Sequence, residues 1–181
     1  KTVLLFFGMI KKVKGLDVLL LSLKKVFENN PDIVLLIAGK PWEDDFSIYQ
    51  EIIEKNNLNG NIISHIKFIA HKDVEHYYCA SDLVVLPYKK IYQSGVLMMT
   101  LSYQRPVLVS DLPPLKEVIT DNENGFLFES ENVSDLSEKI KAILRDKENL
   151  ERVRENGCRL IKERFCWDEI GRLTKNAYQT L

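Results

Sequence analysis

The residues best suited to chemistry lie in one polar stretch, in which Gln93 and Ser94 precede Gly95 and Val96. A polar loop leaves an apolar, strand-like run at Pro87 and meets Gly95, where a mostly apolar helix-like segment begins. The first N–H groups of a helix have no partner inside it, and the helix dipole favours negative charge there. The stretch therefore predicts a site for an anion or a polyhydroxyl ligand. The alternative is an ordinary helix N-terminus that binds nothing.

Short apolar runs that alternate with amphipathic segments must position that stretch. Apolar residues at i, i+3, i+4 and i+7, such as those from Leu16 to Phe27, predict helices. The pattern predicts an α/β fold, a doubly wound parallel sheet of about six strands with helices on both faces and a helical C-terminal tail. Ligands bind such sheets beyond the carboxyl ends of the strands, where Gln93 to Val96 then lie. The predicted strands are Thr2–Phe7, Ile33–Ala38, 66–69, Leu83–Leu86, 107–109 and 125–128.

The composition excludes several classes of protein. The chain has 181 residues, 45% hydrophobic and 28% charged, which is typical of one globular domain. A net charge of −1 gives no field that attracts nucleic acid, and no apolar run is long enough to span a membrane. Three cysteines without C-x-x-C spacing predict neither a disulfide framework nor a zinc site, and favour a cytoplasmic setting. Because the sequence begins inside a strand-like run without methionine, we expect an excised domain.

Six motifs, taken in order, resemble a known family. They are FFGMIKKVKGLDVLL at 6–20, LLIAG at 35–39, ASDLVVLPY at 80–88, RPVLVSD at 105–111, EVI at 117–119 followed by NGFL at 124–127, and RFCWD at 164–168. The set is similar to the carboxy-terminal domain of retaining GT-B glycosyltransferases of family 4, also called glycosyl transferases group 1. The resemblance covers essentially the whole chain. It implies a single Rossmann-like domain over residues 1–181, which is one half of a GT-B fold.

The resemblance implies a two-domain enzyme whose carboxy-terminal half binds a nucleotide-sugar donor. An amino-terminal domain, expected to be missing from this sequence, would bind the acceptor, such as a growing polysaccharide or a lipid-linked sugar. A hexose-type sugar would be transferred with retention of its anomeric configuration, with no cofactor and no obligatory metal. The isolated domain would be inactive alone. The enzyme would be cytoplasmic and would meet the inner membrane surface only through the missing domain.

The same resemblance assigns residues to parts of the donor and leaves the catalytic residues unknown. Lys14 matches the family lysine that contacts the diphosphate, and Gly8 would let the backbone approach the phosphates closely. The alternatives are a solvated lysine, a strand-end glycine and, for His71, an ordinary surface histidine. No metal ligands are predicted. The assigned contacts are Gly8, Lys11, Lys14, Ser94, Gly95 and Val96 for the diphosphate, Gln93 and Met99 for sugar or ribose, and Ile69, Ala70 and His71 near the nucleobase.

The chain departs from the family pattern at three places. Met9 stands where the family usually has an arginine, and a nearby lysine would not offer the same bidentate fork. The two glutamates of the family's E-x7-E motif fall on Ile91, or Gln93 if the loop shifts, and on Met99. A branch of the family carries Gln-Ser-Gly-Val here, as this chain does at 93–96. Gln104 replaces a helix-ending glycine, which bears on stability because a non-glycine residue can adopt that left-handed conformation at modest cost.

Several other polar or aromatic residues invite weaker interpretations. Asp82 is expected to be structural, bonding to the neighbouring chain. Trp42 is an exposed loop aromatic or a wall of the crevice. Lys40 is a candidate phosphate contact. Lys89 and Lys90 face either a phosphate or solvent, and the sequence does not decide between these.

Two further functions compete with donor binding. The first is a degenerate, non-catalytic GT-B domain that serves as a partner or scaffold, with Met9 and Met99 marking a lost donor site. The second is a nucleotide-sugar epimerase. Such enzymes depend on carboxylates and histidines in the cleft, which the predicted crevice loops offer in small number.

Overall fold

The computed structural model describes residues 1–42 and 45–179. A six-stranded parallel sheet runs through it in the order β3-β2-β1-β4-β5-β6, which confirms the predicted doubly wound arrangement. The strands are β1 Thr2–Phe7, β2 Ile33–Ala38, β3 Ile62–His65, β4 Leu83–Leu86, β5 Val107–Ser110 and β6 Phe126–Phe128. Because β1 lies between β2 and β4, the chain winds outward in both directions from the middle of the sheet.

Helices cover both faces of the sheet, as predicted. One face packs against α1, α2 and α6, and the other against α3, α4 and α5, while α7 adds residues to both apolar clusters. None of the described helices has the length and apolar character needed to cross a bilayer. The helices are α1 Leu16–Asn29, α2 Ser47–Lys55, α3 Val74–Cys79, α4 Gly95–Ser102, α5 Pro113–Lys116, α6 Val133–Arg145, α7 Lys147–Arg164 and α8 Trp167–Gln179.

The predicted third strand was wrong. The apolar run at 66–69 is not a strand, and β3 occupies Ile62–His65 immediately after a single 3-10 turn at Asn59–Asn61. β3 is an edge strand whose residues 63–65 are exposed, so it lacks the continuous apolar pattern of a central strand. The run at 66–69 instead continues past the carboxyl end of the sheet, and this places Ile69 beside the crevice.

Two of the structural expectations for single residues are confirmed. The Val3 N–H donates to Asp82 Oδ2 at 2.7 Å, and the Asp82 N–H donates to the Val3 carbonyl at 2.8 Å, so Asp82 joins the starts of β1 and β4. Gln104 follows α4 with φ at 54°, the left-handed conformation that a glycine would adopt without strain.

Candidate functional site

The crevice lies at the carboxyl ends of β1 and β4, where the winding of the sheet reverses. Gly8 follows β1 with φ at +106°, a conformation that favours glycine. A Cβ at this position would lie 3.3 Å from Val96 Cγ2, so the chain after β1 touches the first turn of α4. The structure therefore brings together Gly8 and Val96, which are 88 positions apart in the sequence.

Lys14 is held at this edge by the single turn Lys12–Lys14 that precedes α1. The Lys89 N–H donates to the Val13 carbonyl at 2.9 Å, which ties the turn to the chain leaving β4. Gly15 has φ at +67°, and a Cβ there would lie 1.8 Å from the Pro87 carbonyl oxygen. Only glycine permits this close approach, so Gly15 fixes Lys14 against the end of β4.

The Lys14 ammonium lies 3.7 Å from the centre of the Tyr88 ring, within cation–π distance. Burial, and secondarily the charge of Lys11, lower the pKa of Lys14 from 10.5 to about 8. Burial also raises the pKa of the Tyr88 hydroxyl to about 12, although a hydrogen bond with Ser94 opposes this effect. Lys14 is thus a poorly solvated cation over a neutral ring, a state that a nearby anion would relieve.

The N-terminus of α4 is capped in a way that leaves its first turn open. The Ser94 hydroxyl accepts a hydrogen bond from the Leu97 N–H at 3.1 Å and lies 3.5 Å from the Tyr88 hydroxyl, to which it donates. Gly95 is exposed, and no atom lies within 4 Å of the position a Cβ would take there. The first-turn N–H groups, those of Gly95 and Val96, have no acceptor within the helix. Lys14, Tyr88 and Ser94 form a continuous chain that ends at this open turn.

Two cavities are lined by some of the predicted residues. The first, of about 580 Å³, lies beyond β1 and β2 and is mostly apolar. It is lined by Phe7, Gly8, Met9, Gly39, Lys40, Pro41, Trp42, Phe68 and Ile69. The second, of about 660 Å³, lies between α4, α5 and the junction of α7 and α8, and its lining includes Gln93, Ser94 and Gly95. Gly8 and Ile69 therefore line the first cavity and Gln93, Ser94 and Gly95 the second, whereas Lys14 and Val96 line neither.

The remaining predicted residues lie around these cavities. Met99 is half-buried against the apolar cluster beneath α4 and lines neither of the two cavities. Ala70 and His71 follow Ile69 at the entry to the turn His71–Asp73. The Lys11 ammonium lies 4.2 Å from the centre of the Trp42 ring, beside the first cavity.

The structure gives Lys89 partners that neither of its two interpretations named. Its ammonium forms an ion pair with Asp17 at 2.7 Å and lies 3.9 Å from Glu131. Lys89 thus joins the first turn of α1 to the loop after β4.

A metal centre finds no support in the part of the chain that the structure describes. No group of three or more His, Cys, Asp or Glu side chains there is arranged to hold an ion. Lys14, which is linked to the start of α4 through Tyr88 and Ser94, is a cation and suits an anionic ligand.

Sequence reasoning missed the two residues that assemble the lysine site. The motif at 80–88 includes Tyr88 but does not indicate its contact with Lys14. From the sequence, Gly15 is only the residue between a loop and a helix. A glycine next to a lysine at a helix start is a usable signal for Gly15. Tyr88 has no such signal, because its contact with Lys14 spans 74 positions of sequence.

Comparison with known proteins gives consistent matches over the chain. The family model described as "Glycosyl transferases group 1" matches residues 1–159. Spore coat protein SA of Bacillus subtilis is 24% identical over 189 aligned residues, which cover 99% of this chain and 49% of that protein. The chain spans about half the length of this relative and of the other curated glycosyltransferase relatives that match nearly all of the chain.

Solved structures with the same fold come from different bacteria. The C-terminal domain of the glycosyl transferase group 1 family protein LpcC from Francisella tularensis has a TM-score of 0.83 and 23% identity, covering 92% of this chain and 87% of that one. Anabaena Alr3699/HepE in complex with UDP has a TM-score of 0.90 and 18% identity, covering 99% of this chain and 49% of that one. At these identities the likeness establishes the fold.

Proposed function

We propose, because the chain belongs to the glycosyl transferases group 1 family, that it is the donor-binding half of a retaining glycosyltransferase. The full enzyme transfers a hexose-type sugar from a nucleoside diphosphate to an acceptor such as a growing polysaccharide or a glycolipid. The observation that carries the proposal is the Lys14 ammonium, held over the buried Tyr88 ring beside the open first turn of α4.

This arrangement suits a diphosphate leaving group. As the bond between the sugar and the diphosphate breaks, negative charge grows on the phosphate oxygens and must be stabilised. The Lys14 ammonium supplies a full charge, and the N–H groups of Gly95 and Val96 supply donors at the positive end of α4. These groups are fixed before the ligand arrives, because Gly15 and Ser94 hold the turn and the helix in place.

The acceptor and the catalytic groups belong to the rest of the enzyme in this proposal. The relative named above is about twice as long as the chain, which leaves room for an amino-terminal acceptor domain. Transfer proceeds with retention and without an obligatory metal, as in the family that the motifs resemble. The enzyme acts in the cytoplasm, and contact with the inner membrane surface comes through the acceptor domain. The isolated 181 residues bind donor but do not transfer sugar.

One observation favours a second candidate, a degenerate domain that keeps the fold but no longer binds donor. Met9 lines the first cavity with 44% of its surface exposed, at the position where the family usually carries an arginine. Met99 packs against the core, and its thioether cannot replace a carboxylate that would bind ribose hydroxyls. A domain of this kind would act as a partner or scaffold.

Titration calorimetry of the chain against UDP, GDP, ADP and their sugars separates the two candidates. We expect at least one nucleoside diphosphate to bind. Lys14→Met should weaken it by about 10- to 150-fold, the equivalent of a charged hydrogen bond worth about 1.5–3 kcal/mol. Methionine keeps the apolar stem on Tyr88 and removes only the charge. Lys24→Met, an exposed position in the middle of α1, is the matched control. If no nucleotide binds, the degenerate domain is the better account.

A further inference from the structure

The first cavity has a composition unlike that of the lysine site beside it. Six of its lining residues are apolar or aromatic. Among the lining residues in the described part of the chain, Lys40 carries the charge. Two of the aromatic residues are well exposed, Trp42 at 56% and Phe68 at 76% of their surface. A cavity with such walls suits a flat, weakly polar ligand group better than a phosphate.

Trp42 is held in place at the rim of this cavity. Beyond the ends of β1 and β2, the Ile10 N–H donates to the Lys40 carbonyl at 3.0 Å, and the Trp42 N–H donates to the Ile10 carbonyl at 3.1 Å. The two strands thus remain paired up to the tryptophan. This pairing fixes the backbone that carries the indole, so no backbone freedom has to be lost at the rim when a ligand stacks on the ring.

Lys11 strengthens this arrangement. Its ammonium lies 4.2 Å from the centre of the Trp42 ring, but Lys11 does not line the cavity. The cation therefore supports the ring without filling the space that the cavity provides beside it. It also adds positive charge between the apolar cavity and Lys14, whose pKa it lowers.

We propose that the Trp42 indole is the surface on which the nucleobase of the donor stacks, with the base in the first cavity and the diphosphate at Lys14 and the start of α4. This inference rests on the proposed function and adds a residue to it. Gly8 lines the apolar cavity and lies next to Val96, the second residue of α4, so the cavity and the open turn belong to neighbouring segments.

Stacking on an aromatic ring contributes affinity with little preference among bases, because every base has a flat π face. Trp42 therefore stabilises purine and pyrimidine nucleotides alike. The choice of base then depends on the polar groups that meet its edge, near Ile69 and Ala70.

The test compares Trp42→Ala and Trp42→Phe with the wild-type chain in calorimetry. The probes are the tightest-binding nucleoside diphosphate of the panel and inorganic pyrophosphate. We expect Trp42→Ala to weaken the nucleotide by roughly 5- to 100-fold and to leave pyrophosphate unchanged, and Trp42→Phe to retain most of the affinity. Circular dichroism checks that each variant is folded.

The two tryptophans of the chain, Trp42 and Trp167, allow an independent readout. In Trp167→Phe, Trp42 is the sole tryptophan, and its fluorescence should be quenched as the nucleotide saturates the site. Trp42→Phe leaves Trp167, which lines the second cavity, as the sole tryptophan and measures how much of the fluorescence change comes from that residue. These two variants test whether the nucleobase stacks on Trp42 even if Trp42→Ala does not fold.

The outcomes distinguish this inference from the proposed function. Equal nucleotide affinity in the wild type and in Trp42→Ala, or no quenching of Trp42 fluorescence at saturation, overturns the stacking role and leaves donor binding intact. Equal losses for nucleotide and pyrophosphate also overturn it, since the change would then act on the whole site. A wild-type chain that binds no nucleoside diphosphate overturns both proposals.

Discussion

Lys14 owes its properties to a contact between two distant parts of the chain. The ring of Tyr88 lies under its ammonium, and the turn that carries Lys14 is pressed against Pro87 by Gly15. Burial, with the charge of Lys11 adding to it, lowers the pKa of Lys14 to about 8, so the residue changes charge in an accessible pH range. An ordinary surface lysine would remain charged throughout that range.

This pKa predicts that diphosphate binding weakens as the pH rises through about 8. The nucleotide phosphates are already ionised there, since their last proton leaves near pH 6. The bound anion favours the ammonium form, so affinity should fall by up to about tenfold per pH unit above 8. Lys14→Arg stays charged up to about pH 12 and should give a flatter profile. Calorimetry from pH 7 to 9.5 measures both curves. A wild-type profile as flat as that of Lys14→Arg would contradict the prediction.

The unfolding free energy of the chain without ligand supplies a control, because it should rise with pH while the diphosphate affinity falls. The folded pKa of Lys14 is depressed, so between about 8 and 10.5 the unfolded chain binds the proton and the folded chain does not. Stability therefore rises with pH across that window. The difference in unfolding free energy between the wild type and Lys14→Met isolates this contribution, because methionine does not titrate.

Residue-scale prediction from the sequence succeeded where a type is tied to a local conformation. Gln104 adopts the expected left-handed conformation, and Asp82 bonds to the neighbouring chain as expected. The sequence did not predict the contact of Tyr88 with Lys14, and it did not decide between the two roles of Trp42. Both depend on which distant segment lies alongside the residue. The positions of Lys11, Lys14, Ser94 and Gly95 at the crevice agree with the resemblance, and their roles as ligand contacts remain predictions.

Among the elements, α4 shows how a helix can be stable and still offer its first turn. Ser94 satisfies the Leu97 N–H, which belongs to the third residue of the helix, and leaves those of Gly95 and Val96 to a ligand. Gly95 has no positive φ and no neighbour where its Cβ would be. The fold therefore does not require glycine at this position, whereas an approaching ligand does need the space.

Gly95→Ala is predicted to separate folding from binding. The substitution should leave stability unchanged or raise it by up to about 1 kcal/mol, because alanine has less conformational freedom in the unfolded chain. The added methyl group keeps an anion from the helix terminus, so nucleoside diphosphate affinity should fall by about 2- to 30-fold. Thermal unfolding and calorimetry measure the two effects.

The matched control for that substitution is Gly60→Ala. Gly60 likewise has no atom within 4 Å of the position that a Cβ would take, and it lies in the turn before β3. The substitution should leave affinity unchanged. If Gly95→Ala binds nucleotide as tightly as Gly60→Ala does, the open turn of α4 is not a ligand contact.

Strands were predictable in proportion to their burial. β2 and β4 are buried along their whole length and β1 at its centre, so their apolar runs gave the correct bounds. β3 lies at the sheet edge with its last three residues exposed. The strand was therefore predicted in the more apolar run at 66–69 that follows it. The short helix α5, which begins at Pro113, has too few residues to produce a helical period.

In the whole molecule, the sheet consists of two halves that meet at β1 and β4. Several contacts among the described residues join the halves at their carboxyl edge, including those of Gly8 with Val96, Gly15 with Pro87, and Val13 with Lys89. The proposed ligand crosses the same seam. Its base lies in the half that contains β1 and β2, and its diphosphate reaches α4 in the half that begins with β4. Binding should therefore stabilise both halves together.

Hydrogen exchange with and without nucleoside diphosphate tests this arrangement. We expect slower exchange in segments 8–15, 39–42 and 93–97, which come from both halves, and little change around β6 and α6. At a ligand concentration of 100 Kd the chain should gain about 2.7 kcal/mol, which raises the Tm by roughly 5–10 °C. Inorganic pyrophosphate, which lacks a base, should protect 8–15 and 93–97 but not 39–42. Nucleotide protection confined to one half would contradict a ligand that spans the seam, because the base and the diphosphate are predicted to lie on opposite sides of it.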